Sequence, residues 1–191
     1  MIRITHAVLM AGLVLVATTA VGASAFTSAS IDREANANVV ADQNGLLSLT
    51  DGNSGDLIFE DGTGQLAMDL TAGSAKGANT DALFVFGDRQ SPSTTQAFTI
   101  TNNDATTHDI TVSYDGTDDN SAANLQFEIY DAEGSSVGTV DEEGTTATIS
   151  APASATYYVV VVLDTGHGEA GVLQEDTDLS GTLSFTIDDE N

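Results

Sequence analysis

The sequence predicts an all-β chain, an antiparallel two-sheet β-sandwich preceded by a signal peptide. Three observations predict it. Apolar residues alternate with a period of two along most of the chain, Gly, Asn and Asp turns punctuate the alternation, and helical spacing is nowhere sustained after the first 25 residues. About ten short strands, each with one inward row, need a second layer to cover that row, and two packed sheets supply it. A closed barrel is the lesser alternative.

The chain opens with the short cationic segment Met1–His6, followed by a continuous apolar run, Ala7–Ala20. That run is shorter than the roughly 20 residues a membrane-spanning helix needs, so it reads as an export signal. Ala23 and Ala25 satisfy the A-x-A cleavage rule, which makes Phe26 the expected new N-terminus. Residues 1–25 are then the signal peptide, 26–50 an N-terminal arm and 51–191 the sandwich domain. The expected location is secreted, extracellular or at the cell surface. No second apolar run follows, so no membrane attachment is expected once the signal is removed.

The arm begins polar, from Phe26 to Ala37. It then carries two apolar pieces, Val39–Val40 and Leu46–Leu47 with Leu49, around an Asn44–Gly45 turn signal. Leu57–Glu60 is a short strand between the turns Asp51–Gly55 and Asp61–Gly64. Leu66, Met68 and Leu70 share one face of the next. After a Gly, Ala and Ser loop come Ala82–Phe86, then a loop around Pro92, then a strand pointing Phe98 and Ile100 inward. Ile110, Val112 and Tyr114 form the following inward row, and Leu125, Phe127 and Ile129 the one after it. Val137–Val140 and Thr145–Ser150 are weaker strands. Ala155–Leu163 is the most apolar segment after the signal, which predicts a central strand covered on both faces. Leu183, Phe185 and Ile187 close the domain.

Charge narrows the function. The chain holds 29 acidic residues against four basic ones, a formal net charge of −25. Such a field repels phosphate backbones and anionic headgroups, so neither nucleic acid nor a membrane surface is expected as a partner. It also opposes compaction unless salt screens it, and at about 1 M the Debye length is only about 3 Å. With 41% hydrophobic residues the chain is not a disordered acidic tail. A halophilic protein of strong brine fits both facts. The chain has no cysteine, so neither disulfides nor thiolate metal sites contribute to its stability.

No constellation of residues in the sequence points to an enzyme. Gly52–Asp56 (GNSGD) is similar to the loop around a chymotrypsin-type serine, but the only histidine before it is His6, inside the signal. His108 and His167 have no Cys, His or carboxylate neighbours at zinc spacing and read as exposed loop residues. No cofactor fingerprint is present. The loop of Asp115, Asp118, Asp119 and Asn120 invites a calcium test. Counting from Asp115 puts Asn120 where an EF-hand needs glycine and Gln126 where it needs glutamate, so the EF-hand reading fails. A calcium site of another kind and simple surface solvation both stay open.

Three stretches carry a resemblance: Gly22–Thr27 (GASAFT) followed by an arm ending in Leu46–Leu49 (LLSL), Gln96–Asn103 (QAFTITNN) followed by His108–Asp115, and Ser180–Phe185 (SGTLSF). Together they resemble the TasA and camelysin family of secreted matrix proteins, over most of the chain after residue 25. The resemblance implies a jelly-roll-like sandwich that polymerises into extracellular fibres by donating its N-terminal arm to the next subunit's sheet, as subunits of archaeal bundling pili do. It makes Val39, Val40, Leu46, Leu47 and Leu49 the candidate donor strand. The expected partner is a second copy of the chain, in a filament or biofilm matrix. A monomeric exported domain binding calcium or a polysaccharide is the alternative, with the arm folded back on its own domain.

Overall fold

The computed structural model describes residues 42–54, 57–71, 77–117, 122–167, 170, 172–174 and 177–188. Chain contacts divide the protein into Met1–Asn38 and Val39–Asn191, and every described residue belongs to the second unit. The expected signal and cleavage residues Ala23, Ala25 and Phe26 lie outside the described residues, as do Val39 and Val40.

The described residues are all-β, with antiparallel sheets. Their only helix is a single 3-10 turn, Asp42–Asn44, and none is long and apolar enough to cross a membrane. The strands are β1 (Leu47–Asp51), β2 (Ile58–Glu60), β3 (Leu66–Met68), β4 (Leu83–Phe86), β5 (Phe98–Asn102), β6 (His108–Gly116), β7 (Leu125–Tyr130), β8 (Ser136–Asp141), β9 (Thr146–Ala151), β10 (Thr156–Asp164) and β11 (Gly181–Asp188). One sheet runs β1-β5-β10-β7-β8, with β4 also on β10. A second runs β11-β6-β9, and β2 and β3 pair as a separate hairpin.

The period-two rows account for this arrangement. Phe98 and Ile100 of β5, Leu125, Phe127 and Ile129 of β7, and Val159, Val161 and Leu163 of β10 come from the six-stranded sheet. They join Ile110, Val112 and Tyr114 of β6 and Ile149 of β9 in a single apolar cluster. Strand β10 is buried on both faces, as its unbroken apolar run requires: Val160 and Val162 pack with Tyr130 in a second cluster on the opposite side. At about 30 Å long, β10 is held by three neighbours, β4, β5 and β7.

Strands β4 and β5 are two halves of one row. β4 pairs with Val161–Asp164 and β5 with Thr156–Val159, both antiparallel to β10. Between them the chain makes an excursion that leaves and returns at a bridge between Gly87 and Gln96. Gly87 has φ +110°, and a Cβ there would lie 3.0 Å from Cγ2 of Val160, so only glycine turns the chain out of the sheet at this point. The excursion is tied down by Arg89, whose guanidinium donates two hydrogen bonds to Glu128 at 2.8 and 2.7 Å.

Much of the acidity is used locally. Asp61 accepts from Thr63 N, Thr63 Oγ1 and Gln65 N. Asp69 accepts from the amide and hydroxyl of Thr71, and Asp141 from the amides of Glu143 and Thr145. These are Asx turns, in which a side chain stands in for a backbone acceptor and closes the reversal. Hydrogen bonds to the ionised form hold the Asp61 and Asp69 carboxyls below the usual range.

Candidate functional site

The three-stranded sheet is narrower than the six-stranded one, and β11 is where it stops. β11 pairs along its whole length with β6, from Gly181 opposite Gly116 to Asp188 opposite Asp109. Among the described residues its other edge has no partner strand. The row Leu183 and Phe185 is consequently only half-buried although it packs on the main cluster, and Ile187 is 37% exposed.

At the start of β11, lined there by Gly181, Thr182 and Leu183, lies a cavity of about 1080 Å³. Its floor is the inward row of the six-stranded sheet, Phe98, Phe127, Val161 and Leu163, and one wall is the start of β11. The β2–β3 hairpin supplies the opposite wall through Ile58, Leu66 and Met68. Ile58 is only 3% exposed. The hairpin thus covers inward-facing apolar surface that the narrower sheet leaves over.

Tyr114 sets how β11 enters. Its ring lies 5.3 Å from Phe127, and its hydroxyl donates to the carbonyl of Leu179 at 2.7 Å, fixing the chain just before the strand. Gly181 passes against this ring: a Cβ there would fall 2.7 Å from Cζ of Tyr114 and 2.3 Å from the Asp115 carbonyl oxygen. Burial, with Glu142 and Asp178 nearby, pushes the Tyr114 phenol up to about 12, so it remains a donor at any ordinary pH.

One residue of the arm, Asp42, is hydrogen-bonded to the hairpin. Asp42 donates its backbone N–H to the carbonyl of Gly64 at 3.1 Å, and its carboxylate accepts the N–H of Leu66 at 3.0 Å. Gly64 and Leu66 lie at the reversal between β2 and β3.

The candidate donor residues divide into three groups. Val39 and Val40 are outside the described residues. Leu46 is 71% exposed, its carbonyl accepting from Asn103 N. Leu47 and Leu49 are in β1, which pairs with β5 in the chain's own sheet, Leu49 opposite Ile100. Both pack against the main cluster. This part of the arm folds back, one of the two destinations open from sequence, because its leucines complete the inward row of β5. The sequence did not single out Asp42, Tyr114 or Leu179 for these roles. No local pattern marks a strand as the last in its sheet.

The remaining candidates do not assemble into a reactive centre. His108 is not the exposed loop residue expected: it begins β6, its side chain is 11% exposed, and Nε2 lies 2.6 Å from Oδ2 of Asp104. Thr106 Oγ1 donates to the same carboxylate oxygen, so the group closes the turn after β5. Hydrogen bonding to His108 holds the Asp104 carboxyl below its usual range. His167 is exposed, 3.9 Å from Asp81. Asn53 exchanges hydrogen bonds with the backbone of Thr94 and Gln96, so Gly52–Ser54 extends the edge of β1 as a turn. Asp115 lies in β6, while Asp118, Asp119 and Asn120 are outside the described residues. Among the described residues no three His, Cys, Asp or Glu side chains are grouped to hold a metal.

No protein-family model matches this sequence, and no curated protein matches it.

Proposed function

We propose that this chain is a secreted, non-enzymatic structural subunit of an extracellular filament or biofilm matrix. In this reading it folds as a jelly-roll-like two-sheet sandwich, is cleaved after Ala25, and assembles by laying the arm Phe26–Ala41 of one copy along β11 of the next. The observation that carries the reading is a strand edge that has no partner among the described residues, next to an apolar cavity. Among the described residues β11 has a partner strand, β6, on one side only, and its first residues, Gly181 to Leu183, line the cavity. Strand addition supplies what such an edge lacks, main-chain hydrogen bonds for the ladder and alternate side chains for the cavity.

The length and position of the arm support a second copy as the occupant. Asp42, directly after this segment in sequence, bonds to Gly64 on the reversal of the hairpin that lines the cavity. The segment's roughly 16 residues can extend about 53 Å, whereas β11 needs about 26 Å of partner strand. It carries Arg33, one of the four basic residues of the chain, toward a rim bearing Asp69 and Asp178. Ile31, Val39 and Val40 are the apolar side chains that this segment offers to the cavity beside Leu183.

Negative-stain microscopy in strong brine tests this. A chain starting at Phe26 should form fibres, and one starting at Asp42 should stay folded and monomeric. Leu183→Asp should retain a usable arm but spoil the receiving edge by placing a charge in the cavity. Mixed together, the truncated chain and the Leu183→Asp chain should form dimers and go no further. Fibres from the chain starting at Asp42, equal to those of the parent, would overturn the proposal.

A further inference from the structure

We propose that Asn44 is a site of spontaneous covalent modification, where the side-chain amide is lost and the main chain is rerouted through an isoaspartyl linkage. The inference is independent of the filament reading and uses only residues between the hairpin and β1. Asn44–Gly45 is the one Asn–Gly pair in the sequence. Gly45 has no Cβ to shield its nitrogen, which can therefore reach the side-chain carbonyl carbon of Asn44. The fold demands this glycine, because a Cβ at position 45 would lie 2.8 Å from the Leu47 carbonyl oxygen. Asn44 is exposed at the end of the single 3-10 turn. The bond closing that turn, from the Gly45 N–H to the Asp42 carbonyl, is long at 3.4 Å.

The chemistry needs only water. The Gly45 nitrogen, its proton lost to hydroxide, attacks Cγ of Asn44; the new N–C bond forms, the Cγ–Nδ2 bond breaks, and ammonia leaves. Water then opens the cyclic imide at either carbonyl, giving aspartate or isoaspartate. Comparable pairs elsewhere are protected. Gly52, after Asp51, donates its N–H to the Ala97 carbonyl at 2.9 Å, and Asp115–Gly116 lies within β6. Asp61 precedes Gly62 but accepts three hydrogen bonds that favour its ionised form, whereas ring closure needs the neutral acid. Asn53 is followed by Ser54, and both ends of its side-chain amide are bonded. The position of Asn44 gives its modification structural reach. On one side Asp42 is bonded to Gly64 and Leu66 of the hairpin reversal. On the other, Asn103 donates its side-chain amide to the Gly45 carbonyl at 2.9 Å and its N–H to the Leu46 carbonyl at 2.8 Å. An isoaspartate adds a methylene to the main chain between these two clamps and loosens one of them.

The test keeps the chain starting at Phe26 in warm, mildly alkaline brine until a synthetic peptide of Asp42–Leu47 in the same solution has converted. Peptide mapping by mass spectrometry should then find Asn44 of the protein turned to acid, as an aspartate and isoaspartate pair, while Asn53, Asn79, Asn102, Asn103 and Asn124 keep their amides. In the isoaspartyl form the amide of Leu66 or of Asn103 should exchange about tenfold faster, with those of β10 unchanged. Asn44→Gln, which would have to close a larger ring, should keep its amide and the slow exchange of the fresh parent. An Asn44 that keeps its amide when the peptide has converted would overturn the proposal. So would conversion that leaves exchange at both Leu66 and Asn103 unchanged.

Discussion

The carboxylate of Glu142, in the turn after β8, accepts the backbone N–H of Leu125 at 2.6 Å and also that of Asn124, and it is 7% exposed. Burial dominates over these bonds, and with Asp141 adjacent it pushes the carboxyl from 4.5 up to about 7. The folded chain therefore holds this proton more tightly than the unfolded chain does. Its contribution favours folding at low pH and is lost as pH rises from about 4.5 through 7, to the extent of up to about 3 kcal/mol. Thermal melts followed by circular dichroism in brine should show a midpoint that falls across that window, and Glu142→Gln should flatten the fall. Asp61, Asp69, Asp104 and Asp178 act in the opposite sense: their lowered carboxyls contribute stability that disappears as pH drops below the usual range near 3.8. The greatest stability is expected between the two limbs.

Arg89 and Glu128 should couple measurably, because the pair is bidentate and the Tyr130 hydroxyl donates to the same carboxylate. Arg89 is partly exposed, so a double-mutant cycle with Arg89→Ala and Glu128→Gln should give about 1 kcal/mol in moderate salt. The coupling should shrink in strong brine as screening increases. Equal coupling at both salt concentrations would mean that the fork acts through geometry and not through charge.

Leu46 and Leu49 lie three positions apart and differ in exposure: Leu46 is 71% exposed, whereas Leu49 is half-buried against the main cluster. Leu49→Asp places a charge against Ile100 and should cost about 3 kcal/mol or more, read as a lost or strongly lowered melting transition. Leu46→Asp should leave the transition within about 0.5 kcal/mol of the parent. Similar melts for the two variants would contradict the placement of β1.

A formal charge of −25 should make folding depend on salt. Far-ultraviolet circular dichroism across a dilution series should show β-structure lost at low ionic strength and regained on adding sodium chloride. A constant spectrum in salt-free buffer would remove the case for a brine protein.

The strands were legible wherever two conditions held together, an alternating row and a firm turn. β6 is read directly from Ile110, Val112 and Tyr114, and β10 from its unbroken run, because side-chain period and burial are local properties. Partnering is not local. Nothing in Leu183 or Phe185 distinguishes a strand with two neighbours from one with a single neighbour, and nothing in Leu47 or Leu49 says which sheet they complete. His108 was misplaced for a related reason: its contact with Asp104 arises only when the turn after β5 closes. Asp42 was illegible because its partners, Gly64 and Leu66, stand more than 20 positions away and offer only backbone groups.

The excursion between Gly87 and Gln96 begins and ends at bridged residues, so its two ends already meet without help from what lies between them. Ser93 and Thr94 at its tip face solvent. Foreign sequence spliced there would lengthen a closed detour and cut no ladder, at an entropic cost that grows only slowly with length. The excursion is thus a natural mounting point for an affinity tag or fluorophore, at the expense of the Asn53 hydrogen bond to Thr94 and away from β11 and the hairpin.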